Sequence, residues 1–474
     1  MAMGLVSVML VTRYLTPEEY GAFVLLQVVV VFVAEITSLG LTVSVPKFIA
    51  GTESKRDKRT LVNTVICFRI LTALAVSLLV LIARRLLILL YDSPLLLSLI
   101  IYLPVLITLE SLGKLLKSIF EGLFLFNRIG IVDFAAGSLN LLFIVLFVVF
   151  LDQGLSGLVY AKLISMAVSY TFAYFSNPIE RKLEFDYTVL KDVLAFGLPL
   201  QLQYILGFLF LRIDTLMLGA LLGPAGIAYY EVARKIPESL VRLYDAFRAV
   251  YFPSIANLFA RGKHHQATKM LNHSTRWLSF LTISGALIAL LLGNDIISLL
   301  FSESYLPSVP AFVLLMIELN LTLVETTLGY SLVAIGAPDK PLIANAARTG
   351  TNLLGNLLII PASGFVGAAL AKVASNLVAI PLDVLFLRRR RIYVRSEGYL
   401  KPLLIFGAFG LGFVLLGSSS LLLRIAIIVF FFLACLLLSV ITRDDLAFIS
   451  EVGKMILSRV LRKPRLKASV DRSS

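Results

Sequence analysis

The sequence contains little charge and almost no cysteine, histidine or tryptophan. Of its 474 residues, 15% are charged and 59% are hydrophobic, and the mean hydropathy is +0.93. Ordinary soluble domains carry roughly 25% charged residues, and a globule of this size could not cover so much apolar surface. The composition therefore excludes a cytosolic enzyme, a secreted disulfide scaffold and a disordered chain, and it indicates a protein embedded in lipid.

The few redox and metal-binding residues do not form a recognisable site. Cys67 and Cys435 fall in apolar segments, so neither a disulfide framework nor a cysteine metal site is expected. His264, His265 and His273 lie in or beside one basic loop, which favours a solvated loop over a metal site. A Walker A pattern, a G-x-G-x-x-G after a strand and a Ser/His/Asp arrangement are all missing from the sequence. We therefore expect no metal, no enzymatic catalysis and no cofactor other than a coupling H⁺ or Na⁺.

The apolar residues occur in runs long enough to cross a bilayer. A helix needs about 20 mostly apolar residues to span roughly 30 Å of hydrocarbon. The runs predict an all-α polytopic membrane protein whose brief loops leave no room for an inserted soluble domain. The fourteen predicted spans are 1–12, 20–45, 61–83, 94–122, 129–151, 157–176, 193–219, 226–252, 275–293, 309–335, 343–361, 366–387, 402–417 and 419–441.

The net charge of +14 has an uneven distribution along the chain. The even-numbered loops with their adjoining span ends and the C-terminal tail hold 30 of the 43 Lys and Arg residues, whereas the odd-numbered loops hold only Arg13, Arg84 and Arg85. Basic residues concentrate on the cytoplasmic side of membrane proteins. The pattern predicts a multi-pass protein of the cytoplasmic (plasma) membrane with both termini in the cytoplasm, and it explains the charge without a nucleic-acid partner.

The chain contains an internal repeat of six spans. Leu15-Thr16-Pro17 matches Leu222-Gly223-Pro224 and Pro46 matches Pro253 at an offset of 207, while 157–165 (GLVYAKLIS) matches 367–375 (GAALAKVAS) at 210. An even number of spans keeps both halves in the same orientation, as in transporters built from parallel repeats. The predicted organisation is an N-lobe (1–178), a cytoplasmic linker (179–192), a C-lobe (193–387), a basic cytoplasmic loop (388–401), spans 13 and 14 (402–441) and a tail (442–474).

The two ends of the chain have distinct features. Met1 aligns with Phe208 although span 7 is predicted to begin near 193, so span 1 lacks about 15 residues and we expect the native start to lie upstream. Residues 1–12 also lack the basic region and cleavage site of a signal peptide. In the tail, apolar residues at helical spacing accompany basic ones, which predicts an amphipathic helix on the inner leaflet.

Span 8 carries a stripe of charged residues that lipid could not tolerate. Six of its seven charges lie within about 100° of helical arc, and two further charges lie on span 7. Such residues line a wet path or pair with one another. As a path, the cations would bind an anionic group of the substrate; as a self-neutralised network, the acids would pair with Arg234, Lys235 and Arg242. The residues are Glu231, Arg234, Lys235, Glu238, Arg242, Asp245 and Arg248, with Arg212 and Asp214 on span 7.

Other residues within spans are candidates for function. Lys162 and Lys372 recur at matching repeat positions and could bind substrate, although a lysine near a span end can also snorkel to the interface. The acids that could bind a coupling H⁺ or Na⁺ are Asp214, Glu231, Glu238, Asp245, Glu35, Glu318 and Glu325. Prolines inside spans can act as bending points, and the hinge candidates are Pro199, Pro237 and Pro381. Further in-span charges, among them Arg69, Arg348 and Asp383, have no assigned role.

Three segments carry a resemblance to a known family. RYLTPEEYG at 13–21, TSLGLTVSVPKFIA at 37–50, and FGLPL, RIDTLMLG and LGPAGIAYY within 194–230 resemble the polysaccharide-biosynthesis membrane proteins. These are the O-antigen flippase-like members of the multidrug/oligosaccharidyl-lipid/polysaccharide exporter superfamily. The order and spacing of the segments match, as do fourteen spans with a six-plus-six repeat.

The resemblance implies a fold and a function. It implies two six-helix lobes in a V around a central cavity, and movement of a lipid-linked oligosaccharide from the cytoplasmic to the outer leaflet during cell-envelope polysaccharide assembly. A polyprenyl diphosphate would need cationic partners, which suits Arg234, Lys235 and Arg242. Transport would be driven by an ion or substrate gradient without ATP, as in an antiporter. Expected partners are membrane lipid, the lipid-linked glycan, and glycan polymerase or glycosyltransferase enzymes.

Two alternatives remain open from the sequence. One is a cation-coupled exporter of drugs or small amphiphiles, against which fourteen spans and a strongly cationic stripe weigh. The other is a membrane-embedded glycan polymerase or ligase, an enzyme class that usually carries a large external loop. The longest odd-numbered loop, near 294–308, has only about 15 residues, and this length argues against the enzyme.

Overall fold

The computed structural model of the chain describes residues 2–82, 94–417 and 420–440. These residues are helical almost throughout and include no strand. A 3₁₀ segment, Glu303–Ser308, precedes the helix Val309–Ala334, and another, Ile100–Tyr102, precedes the helix Leu103–Gly122. A π-helical turn, Val145–Phe150, ends the helix Phe126–Ile144. The helices are α1 (Ala2–Tyr14), α2 (Pro17–Ile36), α3 (Leu41–Gly51), α4 (Lys55–Ile82), α5 (Pro94–Leu99), α6 (Leu103–Gly122), α7 (Phe126–Ile144), α8 (Gly154–Ser176), α9 (Tyr187–Ala260), α10 (His264–Leu300), α11 (Val309–Ala334), α12 (Asp339–Arg389), α13 (Glu397–Leu416) and α14 (Leu421–Leu437).

Two long helices each contain two predicted spans. The backbone of α9 is non-helical at Gly223 (φ 73°), which divides it into α9a (187–222) and α9b (224–260). A second break at Gly364 (φ 60°) divides α12 into α12a (339–363) and α12b (365–389). If α2–α3 and α5–α6 each count as one span, the described residues form fourteen rods, which confirms the predicted fold class. Within the described ranges, eleven helical segments are long and apolar enough to cross a membrane, while α1, α3 and α14 are shorter.

The boundaries of several predicted segments differ from the helices. The predicted linker at 179–192 ends in helix, because the Asp186 side chain caps α9 by accepting hydrogen bonds from the N–H groups of Thr188 and Val189. The predicted external loop at 294–308 is helical to Leu300 and again over Glu303–Ser308. Arg84, Arg85 and the predicted amphipathic tail at 442–474 lie outside the described residues.

The sequence repeat coincides with the helix breaks. Gly364 aligns at the offset of 210 with Gly154, and both have positive φ (60° and 54°). Gly223 aligns at 207 with Thr16, which begins α2 with a capping box to Glu19. The N-lobe therefore turns in short loops where the C-lobe continues through a glycine.

The lobes touch where α2 and α9b begin. A Cβ at Gly21 would overlap the carbonyl group of Pro224, so only glycine permits this approach. The Tyr305 ring packs against the rings of Tyr20 and Tyr229 at centroid distances of 6.3 and 6.2 Å. At the same end Arg13 donates a hydrogen bond to the Leu299 carbonyl oxygen. These contacts close one end of the space between the lobes.

The outer surface of the helices is apolar. Leu79 on α4 is 59% exposed, Leu358 on α12a is 76% exposed and Leu437 on α14 is 84% exposed. Soluble monomers rarely expose large contiguous apolar patches. With its apolar spans, this surface makes the protein an integral, multi-pass membrane protein.

Two peripheral regions are attached to the lobes by specific contacts. α13 and α14 lie outside the repeat and pack on α10, where the ring of Phe431 is fully buried. Between the lobes, the segment that precedes α9 is held to α4, since Arg59 contacts Glu180 and Glu184 at 2.8 Å each. These contacts lower the pKa of both carboxyl groups, because the guanidinium favours their charged form.

Candidate functional site

Three adjoining cavities lie between the lobes and inside the C-lobe. The first has a volume of about 320 Å³ and is lined by α1, α2, α7, α8 and α9. The second, about 380 Å³, is lined by α9, α11 and α12. The third, about 120 Å³, connects them, since it shares Lys235 with the first and Glu238 and Arg242 with the second. We refer to the three together as the central cavity.

Helix α9b forms the charged wall of this cavity. Glu231, Lys235, Glu238 and Arg242 follow one another at intervals of three or four residues, so they lie on one helical face. Facing them across the first cavity is Lys162 of α8. Of the two positions that the sequence left open for Lys162, the side chain takes the one beside the cavity rather than one at the membrane interface.

Glu231 neutralises part of the cationic wall. Its side chain is 3% exposed and contacts the guanidinium of Arg234 at 2.9 Å and that of Arg212 at 3.4 Å. The hydroxyl of Thr215 donates a further hydrogen bond of 3.1 Å. Arg234 also approaches Glu238 at 3.9 Å. Two guanidiniums therefore share the buried carboxylate of Glu231.

Asp214 is the centre of a second polar cluster. It is fully buried and forms an ion pair of 2.9 Å with Lys372. The hydroxyl of Tyr230 and the amide of Asn356 donate hydrogen bonds of 3.0 and 2.6 Å to the same carboxylate. The ammonium group of Lys372 therefore faces a fixed carboxylate, whereas that of Lys162 faces open cavity.

The C-lobe extends this polarity along α11 and α12. Glu318 accepts hydrogen bonds from Thr322 (2.6 Å) and Asn376 (3.3 Å), and both donors are neutral. About two turns further along α11, Glu325 pairs with Arg348 at 3.0 Å. Arg348 also lines the second cavity, so a continuous polar seam leads from that cavity into the C-lobe.

The cavity walls carry an excess of positive charge. Seven basic and three acidic side chains line the three cavities. Within the described part of the chain, Lys162, Lys235 and Arg242 have no carboxylate within ion-pair distance. The predicted self-neutralised network therefore forms only in part, because Glu231 and Glu238 both contact Arg234 rather than Lys235 or Arg242.

Other predicted site residues lie away from the cavity. Glu35 pairs with Lys114 of α6 at 2.7 Å. Asp245 pairs with Arg248 at 3.2 Å, and Arg248 donates a hydrogen bond to the Tyr330 hydroxyl. None of these side chains lines the three described cavities, and Arg248 reaches Tyr330 of α11 instead.

The hinge candidates lie inside regular helix. Pro199, Pro237 and Pro381 interrupt neither α9 nor α12, whose non-helical dihedral angles fall at Gly223 and Gly364. Glycine tolerates positive φ at little cost, whereas proline loses one hydrogen bond and keeps helical φ. Pro237 also lines the second cavity. Bending at the three prolines stays a prediction.

Several residues of the site have no counterpart in the sequence prediction. Asn352 and Asn356 lie one turn apart on α12a, and Asn356 bonds both Asn352 and Asp214. Tyr230 donates a hydrogen bond to Asp214, and Asn376 donates one to Glu318. Neutral polar residues at a spacing of four within an apolar span were the signal for them. The described residues contain no group of three or more His, Cys, Asp or Glu that could hold a metal ion.

Comparisons with known proteins place the chain in a family. A family model described as "Polysaccharide biosynthesis protein" matches residues 10–310. The probable flippase AglR of Haloferax volcanii is 29% identical over 170 residues, which cover 34% of this chain and 35% of that protein. The chain thus spans about a third of the length of this curated relative.

Solved structures share the fold. The lipid II flippase MurJ in its inward closed conformation has a TM-score of 0.73 at 16% identity. The alignment covers 96% of this chain and 97% of that one. An inward-facing multidrug resistance MATE transporter of the MOP superfamily has a TM-score of 0.67 at 20% identity, covering 82% and 93%. Because the family model covers more than half of the chain, this protein belongs to the polysaccharide biosynthesis protein family, with the two-lobed fold of these transporters.

Proposed function

We propose that the protein is a flippase that moves a polyprenyl-diphosphate-linked oligosaccharide from the cytoplasmic to the outer leaflet. The observation that supports this most is the set of three cations, Lys162, Lys235 and Arg242, that face the central cavity without a carboxylate partner in the described chain. A diphosphate would provide the missing negative charge. Arg binds phosphate oxygens with a planar fork, and Lys does so as a point charge.

The cavity suits the region where the lipid joins the diphosphate. One wall of the first cavity consists of apolar side chains from α1 and α2, including Val8, Val11 and Val24, opposite the charged wall of α9b. The first isoprene units would contact the apolar wall while the diphosphate contacts the cations. Volumes of about 320 and 380 Å³ accommodate a diphosphate and its first sugar, so the rest of the glycan and lipid would extend beyond them.

Movement would occur by alternating access without ATP hydrolysis. The contacts of Gly21 with Pro224 and of Tyr20 with Tyr305 close the end that the charge pattern predicts to be external. Opening of the cytoplasmic end, where the backbones of Gly40 and Gly197 touch, would admit the substrate from the cytoplasmic leaflet. Opening of the external end, with closure of the cytoplasmic one, would release it into the outer leaflet. A coupling H⁺ or Na⁺ would bind among the acids of the C-lobe.

A cation-coupled drug exporter is the second candidate. The MATE-like fold supports it. The excess of cations in the cavity weighs against it where the drug is itself a cation, because like charges repel in a low-dielectric site. Uptake of a cationic dye compared with that of an anionic amphiphile of similar size separates the two candidates. A glycan polymerase or ligase is less consistent, since helix occupies most of the predicted external loop at 294–308.

The decisive experiment measures lipid movement in proteoliposomes. A fluorescent lipid-linked oligosaccharide would be followed by quenching from outside for wild type, Lys235→Ala and Arg242→Ala. Each variant should reduce the flipping rate about tenfold or more, which corresponds to one lost charge-assisted contact of roughly 1.5 kcal/mol.

Lys401→Ala is the matched control, because Lys401 is a half-exposed lysine on α13 outside the cavity. Its rate should equal that of wild type. Wild-type rates equal to those of empty liposomes, across several glycans and ion gradients, would contradict the flippase. Wild-type rates in both cavity variants would contradict only the role of the cations.

A further inference from the structure

Asp383 is a buried carboxyl group whose oxygens both lack a hydrogen-bond donor. It lies on α12b with an exposed fraction of 0%, and neither Oδ1 nor Oδ2 has a partner in the described chain. An ionised carboxylate in such a place costs far more free energy than a neutral one, and buried charges are otherwise paired. The geometry therefore requires a neutral, protonated side chain in this conformation.

The groups around Asp383 keep it apart from a counter-ion. Glu325 of α11 and Arg348 of α12a are the charged groups that act on it electrostatically, and they are paired with each other at 3.0 Å. Tyr251 of α9b and Tyr399 of α13 belong to one apolar cluster, and the Tyr251 hydroxyl is hydrogen-bonded to Ser331 at 2.8 Å. The Arg348 guanidinium is thus engaged by Glu325, and a second negative charge beside that pair would be repelled by Glu325.

Asp383 lies between the predicted cytoplasmic end of α12b and the polar seam of the C-lobe. It lies six residues, or about 9 Å, from Arg389, where α12b ends. The charge pattern predicts that this end of the helix is cytoplasmic. Glu325 and Arg348 lie about 13 Å from the same ends of their helices. Arg348 and Glu318 both line the second cavity. Asp383 therefore forms the cytoplasmic end of the polar seam in the C-lobe.

We propose that Asp383 is a proton-binding site and that its proton couples the C-lobe conformation to the pH of the cytoplasmic side. A proton from water adds to one carboxylate oxygen, which forms an O–H bond and a neutral carboxyl group. When the C-lobe opens and water enters, the guanidinium of Arg348 leaves the carboxylate of Glu325 and pairs with that of Asp383. The O–H bond then breaks and the proton returns to water. The coupling of this proton to substrate movement rests on the proposed flippase function, whereas the binding site does not.

Infrared pH titration of the purified full-length protein, without substrate, tests the site. Wild type should show a carboxylic acid C=O stretching band at pH 7 that is absent from Asp383→Asn, a variant of equal size without a titratable proton. Asp192→Asn is the matched control, because Asp192 is an exposed aspartate on α9. It should retain the wild-type band. A band that persists in Asp383→Asn, or no band in wild type at pH 7, would overturn the proposal.

A second variant tests the arrangement around the site. Glu325→Gln removes the carboxylate that pairs with Arg348, so the positive charge of Arg348, no longer offset by Glu325, would stabilise ionised Asp383. The deprotonation midpoint of the Asp383 band should then shift to lower pH, and an unchanged midpoint would overturn the exchange. In proteoliposomes, Asp383→Asn should make flipping independent of an imposed pH gradient. If wild-type flipping is itself independent of the gradient, the coupling is wrong while the flippase function stands.

Discussion

The two lobes share one architecture but place different chemistry at matching positions. At the offset of 207, Asp214 corresponds to Ser7, Glu231 to Val24, Arg234 to Gln27 and Lys235 to Val28. All four N-lobe residues line the first cavity, as Glu231 and Lys235 do from the C-lobe side. At these four positions the N-lobe is uncharged and the C-lobe is charged.

The repeated lysines show the consequence most clearly. Lys372 meets Asp214 at 2.9 Å, whereas the N-lobe has Ser7 at the aspartate position and leaves Lys162 without a carboxylate in the described chain. Equal helix geometry therefore yields an ion pair in one lobe and a lysine that faces the open cavity in the other. The repeat therefore sets the direction in which a side chain points, whereas the residues that the side chain meets determine its role.

The largest effect that can break this comparison is expected from the lysines themselves. Lys372→Ala leaves Asp214 buried without a cation and should lower the free energy of unfolding by about 3 kcal/mol, since breaking a buried pair is costly. Lys162→Ala removes no partner and should leave stability nearly unchanged. Thermal unfolding in detergent measures both. Lys372→Ala combined with Asp214→Asn should recover most of the loss, and equal stability of the two single variants would contradict the distinction.

The contact between the lobes is the next place to test. Ala228 stands in α9b where α2 has Gly21, and of these two positions Gly21 is the one at which the neighbouring backbone leaves no room for a Cβ. Gly21→Ala should favour the open external end by about 2 kcal/mol, a typical cost of overpacking.

Spin labels at Glu18→Cys and Ser304→Cys, with Cys67 and Cys435 replaced by Ser, would measure this opening as a longer distance. Both label sites are exposed at that end. Gly4→Ala is the control, because no atom lies within 4 Å of a Cβ at Gly4. Unchanged distances in Gly21→Ala would mean that the backbone contact does not hold the end closed.

A smaller effect should follow when the N-lobe is given the chemistry of the C-lobe. Ser7→Asp places a carboxylate where Asp214 stands in the other repeat, so Lys162 should pair with it and become unavailable to an anion. The flipping rate should fall about tenfold, or roughly 1.4 kcal/mol. Ser7→Asn has a similar size without charge and should retain most of the rate. Equal rates for the two variants would show that Lys162 does not bind substrate.

The smallest effect concerns the segment between the lobes, in which Glu180 and Glu184 pair with Arg59 of the N-lobe. Arg59 lowers the pKa of Glu180 and Glu184, so their contribution to stability is present above the ordinary Glu pKa, about 4.3, and is lost as pH falls through the lowered values. The melting temperature of wild type should slightly exceed that of Arg59→Ala at pH 7, and the difference should vanish in acid. A difference that is constant with pH would contradict the ion pair.

Much of the fold is predictable because a bilayer imposes simple rules. Apolar length predicts fourteen rods, and recurring motifs at offsets of 207 and 210 identify the two repeats. The boundaries near Asp186 and the loop at 294–308 are less predictable, since capping and extramembrane helix do not depend on hydropathy. The helix breaks fall at glycines rather than at the candidate prolines, because positive φ requires a residue without a Cβ.

The sequence by itself determined that this chain spans a membrane, that its halves are repeats, and which charges lie at membrane depth. The packing of the helices sets the pairings: within the described residues Glu231 engages Arg212 and Arg234, Lys372 pairs with Asp214, Lys162 has no carboxylate partner, and Asp383 has no hydrogen-bond donor. Charge and hydropathy belong to single residues and can be read along the chain. Neutralisation belongs to pairs of atoms on different helices, and those distances are set by packing.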